Sequence, residues 1–176
     1  CASTCYPNSF FIHTIVMYNT YMLKNKFLSF VLFFVITYSA SFIGGIVTVT
    51  FKEPWYSQLL KSNYNPPDWV FAPVWTTLYL MMTLAIWFFW HTKNRDMSTV
   101  YVYFIHIVFN TTWSIVFFGL HHIFLAMVVL IILIIFIVIL IIRFKRVNFV
   151  SYYLMIPYLL WCCYALFLNF NLLILN

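Results

Sequence analysis

The chain has 176 residues, of which 65% are hydrophobic, 23% aromatic and only 7% charged, with a mean hydropathy of +0.99. A soluble domain carries roughly a quarter charged residues, and a disordered chain has low hydrophobicity, so the composition excludes both classes. Nine basic residues against three acidic ones give a net charge of +6. In a membrane protein such an excess orients the spans, and we therefore predict that the lipid bilayer, and not a nucleic acid, is the partner.

Apolar runs of membrane-spanning length recur five times along the chain. Each is about 20 residues or slightly longer, which at about 1.5 Å per residue matches a hydrocarbon core of roughly 30 Å. The period-two alternation of a transmembrane barrel is absent. The sequence therefore predicts an all-α integral membrane protein, a bundle of five transmembrane helices over residues 27–51, 69–90, 100–120, 123–142 and 149–170.

The beginning of the chain differs from the rest. It starts at Cys1, whereas the run from Met22 to Lys26, followed by apolar sequence, resembles an ordinary start before a first span. We interpret residues 1–26 as an N-terminal extension, either upstream sequence or disordered, and residues 27–176 as one membrane domain.

Basic residues are divided unevenly between the two sides of the predicted bundle. The N-terminus and the second and fourth connections share one side, and the first connection, with Lys52 and Lys61, lies on the other. Cytoplasmic loops carry the excess of Lys and Arg, so we predict a cytoplasmic N-terminus and an outer C-terminus. The seven basic residues on the cytoplasmic side are Lys24, Lys26, Lys93, Arg95, Arg143, Lys145 and Arg146.

Polar and aromatic side chains recur at spacings of three and four in three of the spans, which places each set on one helical face. Polar groups in hydrocarbon face other helices or a cavity. We therefore predict that the second, third and fifth spans line a shared interior, while the fourth, which has no polar residue, fills the bundle and faces lipid. The stripes comprise Ala72, Trp75, Thr76, Tyr79, Thr83, Trp87 and Trp90; Tyr103, His106, Asn110, Trp113 and Phe117; and Tyr158, Trp161, Ala165 and Asn169.

These stripes have two explanations from the residues alone, helix packing or a ligand pocket. Asn110 lies near the middle of its span, and its amide needs partners that a neighbouring helix or a ligand can supply. His106 lies one turn away, but no span holds a second His or a carboxylate. The sequence therefore predicts no metal site, and it argues against a proton pump, which needs an acid or base relay within the membrane.

The first span and the first connection can each be interpreted in two ways. Gly44 and Gly45, one turn after Ala40 and Ser41, give the first span a small-residue face that suits either a dimer or packing within the chain. The first connection is rich in Pro and Trp. It is either a structured connector or a lid over an interior site.

Three motifs favour the ligand pocket and the lid over the alternatives of helix packing and a simple connector. The first is Trp55-Tyr56 followed by PPDWVFAPVWTTLY over residues 66–79, the second is NTTWSIVFFG over residues 110–119, and the third is PYLLWCCYALFLN over residues 157–169. In order and spacing they resemble the TspO/translocator protein family, also called tryptophan-rich sensory protein or peripheral-type benzodiazepine receptor. The resemblance runs from about residue 27 to the end of the chain, and it is specific.

The resemblance implies a five-helix bundle, usually a homodimer, with a ligand pocket under the first connection. It implies a membrane receptor or transporter for tetrapyrroles such as protoporphyrin IX or heme and for similar apolar small molecules, without a required cofactor. The alternative that it implies is an enzyme of light-dependent porphyrin breakdown, which would use Trp75 and Trp161. The residues that match family positions around the pocket are Tyr56, Pro66, Pro67, Trp75, Tyr79, Asn110, Trp113, Trp161 and Ala165.

Two departures from the family pattern bear on the expected ligand and membrane. His106 stands where many members have Gln. The tail after Asn169 lacks the basic residue of a proposed cholesterol motif, which makes cholesterol a poor ligand candidate. With the charge asymmetry, this favours a bacterial-type protein of the inner membrane, with a mitochondrial membrane as the alternative.

Overall fold

Long apolar helices make up almost all of the protein in the computed structural model, which describes residues 25–176. Five of the helices are long and apolar enough to cross a membrane. This confirms the prediction of an all-α membrane bundle, whereas nearly all of the predicted extension lies outside the described residues. In chain order the helices are α1 (Lys26–Phe51), the short α2 (Trp55–Gln58), α3 (Phe71–Trp90, preceded by a 3-10 turn at Asp68–Val70), α4 (Met97–Ser114, continued by a π turn at Ile115–Gly119), α5 (Ile123–Lys145) and α6 (Phe149–Leu175).

Asparagine or aspartate side chains cap the starts of three of the long helices. Asn25 accepts hydrogen bonds from the backbone N–H groups of the second and third residues of α1, and Asn148 does the same for α6. Asp96 caps α4 by accepting from the backbone N–H of Thr99 at 2.7 Å. Such caps satisfy N–H groups that have no partner within the helix. Since neighbouring spans run antiparallel, all three caps lie on the same side of the bundle.

The predicted span boundaries are too narrow in the second half of the bundle. The third span begins at Met97 instead of residue 100, α5 runs on to Lys145, and α6 ends at Leu175. Hydropathy marks only the stretch that matches the hydrocarbon core, whereas helical hydrogen bonding continues beyond it until a cap ends the helix. At the extended end of α5, Arg143 donates to Ser98 Oγ at 2.6 Å.

The packing order of the helices places α5 away from α1. Helix α6 packs against α5 and α3, α4 packs against α5, and α1 packs against α3 and α4. One side of α5, including Leu133 and Ile137, is buried in the bundle, and the other, including Ile131 and Ile135, is exposed. This agrees with the prediction that the fourth span both fills the bundle and presents an apolar outer face.

Helix α1 joins the second, third and fifth spans, which were predicted to line the interior. Gly44 is buried, and a Cβ added there would lie 3.0 Å from Ser114 Oγ, so α1 approaches α4 closely at this point. Nothing among the described residues lies within 4 Å of a Cβ added at Gly45. The small-residue face therefore serves packing within the chain at Gly44 and stays open at Gly45.

Candidate functional site

A cavity of about 370 Å³ lies between α1, α3, α4 and α6, beneath the first connection. None of its described lining residues comes from α5. The wall is mostly apolar, and its polar groups are few and come from separate helices, as in typical small-molecule pockets. The lining comprises Ser41, Gly44, Gly45, Thr48, Val49, Lys52, Tyr56, Asn65, Asp68, Phe71, Ala72, Trp75, Thr76, Tyr79, Asn110, Trp113, Ser114, Phe117, Phe118, Ala165, Leu168, Asn169 and Leu172.

Aromatic rings in near-parallel orientation form one wall of the cavity. The rings of Trp75 and Trp113 are 6.4 Å apart at 29°, and those of Trp113 and Phe117 are 5.4 Å apart at 15°. Tyr79 continues the row below Trp75 at 5.7 Å. A row of aromatic rings along a cavity suits contact with a flat conjugated molecule.

The π turn at the end of α4 adds two consecutive aromatic residues to this wall. It is closed by the backbone N–H of Leu120, which donates to the carbonyl oxygen of Ile115 at 2.9 Å. The wider turn leaves both Phe117 and Phe118 on the cavity, although neighbours in a regular helix point about 100° apart. The spacing of three and four in the sequence predicted Phe117 on this face but not Phe118.

A hydrogen-bond network spanning three helices lies at the inner end of the cavity. Tyr79 Oη donates to Asn110 Oδ1 at 2.5 Å, and Asn110 Nδ2 donates to Tyr158 Oη at 3.0 Å. All three side chains are buried. Asn110 therefore lines the cavity and at the same time links α3, α4 and α6.

Asn169 lines the same cavity but, unlike Asn110, its amide has no hydrogen-bond partner among the described residues. It is 2% exposed, and neither its Oδ1 nor its Nδ2 has a hydrogen-bond partner among residues 25–176. The indole Nε1 of Trp113 likewise lacks a partner within the described part of the chain. Both residues line the cavity, but these three polar atoms are themselves buried in the packing around it.

The mouth of the cavity carries the only charged residues of its described lining. Lys52, at the end of α1, forms an ion pair with Asp68 at the start of the next span. Lys61 Nζ lies 4.1 Å from the ring centroid of Tyr56. Burial raises the pKa of the Tyr56 phenol, which keeps it neutral, and its hydroxyl donates to Asn65 Oδ1 at 3.4 Å. The mouth therefore presents lysine ammonium groups next to a neutral aromatic ring.

The first connection is fastened across this mouth to the far end of α6. The backbone N–H of Leu60 donates to Asn176 Oδ1 at 2.9 Å, and Asn176 Nδ2 donates back to the Leu60 carbonyl at 3.1 Å. Tyr164 Oη donates to the carbonyl of Tyr64 at 2.7 Å. These bonds hold the connection in place as an ordered cover over the cavity.

Six of the nine residues predicted from the sequence line this cavity, and three do not. Pro66 and Pro67 belong to the cover but do not line the cavity. Trp161 does not line it: its ring packs against Phe71 at 5.9 Å and against Tyr164 at 5.6 Å. The residues that line the cavity are Tyr56, Trp75, Tyr79, Asn110, Trp113 and Ala165.

Sequence reasoning missed the contribution of α1. Ser41, Gly44, Gly45 and Thr48 form one wall of the cavity. The signal was present as a small-residue face, but the same pattern suits a dimer interface equally well. Only the approach of Gly44 to Ser114 decides which surface this face meets.

The sequence of the chain is similar to those of several known proteins. The sequence model of the TspO/MBR family matches residues 30–175. The Tryptophan-rich protein TspO of Chlorobaculum tepidum is 34% identical over 141 residues, which cover 78% of this chain and 89% of that protein. The Tryptophan-rich sensory protein of Cereibacter sphaeroides is 33% identical over 70% of this chain and 78% of its own. The human Translocator protein is 28% identical over 66% of this chain and 71% of its own. The chain is thus an integral membrane protein that belongs to the TspO/MBR family.

Proposed function

We propose that this protein is a membrane receptor that binds a flat, apolar tetrapyrrole such as protoporphyrin IX in the cavity. The observation that carries the proposal is the row of near-parallel rings of Trp75, Trp113 and Phe117 along one wall. A conjugated macrocycle presents two large aromatic faces, and stacking in a place shielded from water is favourable for such a surface.

The charges at the mouth suit the acidic side chains of a porphyrin. Its two propionates would meet Lys52 and Lys61, both of which lie close to the ring of Tyr56. Lys52 is paired with Asp68, so a propionate has to compete with that carboxylate. Lys61 has no carboxylate within ion-pair distance in the described part of the chain and is the stronger anion partner.

The names of the relatives favour a regulatory role over a purely structural one. One is called a Tryptophan-rich sensory protein and another a Translocator protein. A receptor needs a saturable site, and the cavity between the helices offers a defined one. The homodimer that the resemblance implies, the inner membrane and the orientation of the termini stay predictions.

The proposal is tested by titrating the detergent-purified protein with protoporphyrin IX in the dark and following porphyrin absorbance. Trp113→Leu removes the central ring of the row, so we expect the dissociation constant to rise at least about tenfold. The matched control is Trp69→Leu, because Trp69 is 74% exposed and lies outside the cavity. Absence of saturation in the wild type, or equal losses in the two variants, would contradict the assignment.

The same titration under illumination distinguishes the alternative, light-dependent porphyrin breakdown. An enzyme of this kind would bleach bound porphyrin faster than free porphyrin, and Trp75→Phe would slow the bleaching. Trp75 touches the cavity and Trp161 does not, so Trp161→Phe should slow the bleaching less than Trp75→Phe. Equal bleaching of bound and free porphyrin would leave a binding protein without this activity.

A further inference from the structure

The cavity has an opening on its side, between α1 and α3. Among residues 25–176, the exposed residues of its lining all come from α1, from α3 or from the turn before α3, and the rest of the lining is buried or half-buried. A residue that lines a cavity and is also exposed lies at its rim, so the cavity reaches the outer surface of the bundle here. The exposed lining residues are Gly45, Val49, Asp68, Ala72 and Thr76.

Two contacts between α1 and the segment that leads into α3 bound this opening. Near the cover, Lys52 pairs with Asp68. At the deeper end, the Tyr38 hydroxyl donates to the Thr76 carbonyl at 3.0 Å. We call the opening between these contacts the side window, and its rims comprise Ser41, Gly45 and Val49 of α1 and Ala72 and Thr76 of α3.

The depth of the side window places it beside lipid. The helical rise of about 1.5 Å per residue gives roughly 16 Å between the levels of Lys52 and Ser41, about half of a hydrocarbon core of 30 Å. Val49 on the same rim is 86% exposed. An exposed apolar side chain on a membrane-spanning helix meets acyl chains, so the window opens towards the bilayer and not towards water.

The rims of the window suit the passage of an apolar molecule. Gly45 has no side chain, and a Cβ added there meets nothing within 4 Å among the described residues. Ala72 on the facing rim carries only a methyl group. The Thr76 hydroxyl donates to the Ala72 carbonyl within α3 at 2.8 Å, so it brings no unpaired donor into the hydrocarbon. The rims are therefore small and uncharged.

The mouth beneath the first connection is fastened, in contrast to the window. Asn176 exchanges hydrogen bonds with the backbone of Leu60, and the Tyr164 hydroxyl donates to the carbonyl of Tyr64. A ligand that enters from water has to break these bonds to lift the cover. A ligand dissolved in the bilayer reaches the window by displacing lipid.

We propose that the cavity takes up its ligand from the lipid phase, through the side window. The inference rests on the proposed function, since it requires a ligand that occupies this cavity. The macrocycle of a porphyrin favours the hydrocarbon, whereas its propionates stay at the headgroups because a buried charge is costly. In that orientation the macrocycle passes between the rims while the propionates stay at the level of Lys52, at the cover end of the window.

The test measures the rates of protoporphyrin IX binding in the dark, with the chain in phosphatidylcholine nanodiscs. Stopped-flow tryptophan quenching gives the association rate constant, and transfer of bound porphyrin to excess apomyoglobin gives the dissociation rate constant. Gly45→Phe places a ring at the rim, where the added side chain starts in open space. We expect both rate constants to fall at least about fivefold, because a narrowed passage raises the barrier to entry and to exit alike.

The matched control is Ile46→Phe, which places the same ring at the next position of α1. Ile46 is exposed but does not line the cavity, so both rate constants should stay within about twofold of the wild type. Ala72→Leu narrows the facing rim and should slow both rates, so the test does not depend on the folding of one variant. Asn176→Leu removes the bonds to Leu60 and should not speed association.

Entry through the mouth predicts a different pattern. Faster association in Asn176→Leu, with Gly45→Phe and Ala72→Leu no slower than the control, would overturn the side window and leave the receptor intact. Faster dissociation without slower association in the rim variants would identify these residues as ligand contacts, and it would overturn the window as well. Absence of saturable porphyrin binding in the wild type would overturn the proposed function together with this inference.

Discussion

Asn110 is the residue whose substitution should most directly loosen the cavity. Asn110→Leu leaves the hydroxyls of Tyr79 and Tyr158 buried without their shared partner. We expect the free energy of unfolding to fall by about 1–3 kcal/mol, measured by denaturant titration in detergent micelles. The matched control is Asn171→Leu, an asparagine whose amide bonds only within α6, and it should change stability much less. Equal stability of the wild type and Asn110→Leu would show that the network adds nothing.

At the residue scale, the sequence predicts that a polar group needs a partner but not which partner it finds. Asn110 and Asn169 both lie on predicted inward stripes, and both are 2% exposed. One bonds two tyrosines and the other bonds no described residue. The difference depends on which side chains the neighbouring helices bring opposite each amide, and the helical period of one segment contains no information about that.

At the scale of the elements, two adjacent glycines of α1 make a controlled test of helix approach. Gly44→Val should separate α1 from α4, because a Cβ there would lie 3.0 Å from Ser114 Oγ and 3.4 Å from its Cβ. Gly45→Val makes the same change in helix propensity but meets nothing within 4 Å in the described structure. We expect a clearly lower thermal midpoint for Gly44→Val than for Gly45→Val. Indistinguishable midpoints would mean that the approach of these two helices contributes little to stability.

The junction between the start of α1 and the end of α3 should respond to pH through His91. Its Nε2 lies 2.9 Å from Ser29 Oγ, and burial, together with the positive charges of Lys26 and Arg95, lowers the pKa of its imidazole below the ordinary 6.5. Because the pKa of His91 is lower in the folded protein, neutral His91 contributes to the free energy of unfolding. This contribution is fully present above the pKa of the unfolded chain and is lost as the pH falls through the pKa of the folded protein.

The wild type should therefore melt at a lower temperature at about pH 5 than at about pH 7.5. His91→Gln keeps a side-chain N–H donor for Ser29 but cannot be protonated in this range, so its melting temperature should depend less on pH. Thermal melts of the two proteins across this range check the prediction. An identical pH dependence would assign the effect to other groups.

At the scale of the whole molecule, five spans place the first and second connections on opposite sides of the membrane. The charge asymmetry predicts that the mouth of the cavity faces outward. In a background without other cysteines, Asn63→Cys in the first connection should react with a membrane-impermeant maleimide in intact cells. Asn94→Cys, at another exposed asparagine, in the second connection, should react only after permeabilisation. The reverse pattern would invert the orientation.

The sequence by itself determined the class of protein, the number of spans and the face that each inward stripe occupies. These follow from composition, from run length against bilayer thickness and from the helical period, all of which are properties of single segments. The same local patterns, with three motifs in matching order, identified the family. Six of the nine site residues that the resemblance implies line the cavity, because they lie on the inward stripes or in the cover.

Only the tertiary structure decided how the segments meet. It brought α1 into the cavity wall, turned Trp161 towards Phe71, and widened the end of α4 so that Phe117 and Phe118 share one surface. In a bilayer every face of a helix is apolar, so hydrophobicity does not distinguish the lipid side from the packed side. Two features decide which side of a helix is packed. One is close approach, as between Gly44 and Ser114, and the other is the pairing of the few polar groups across helices.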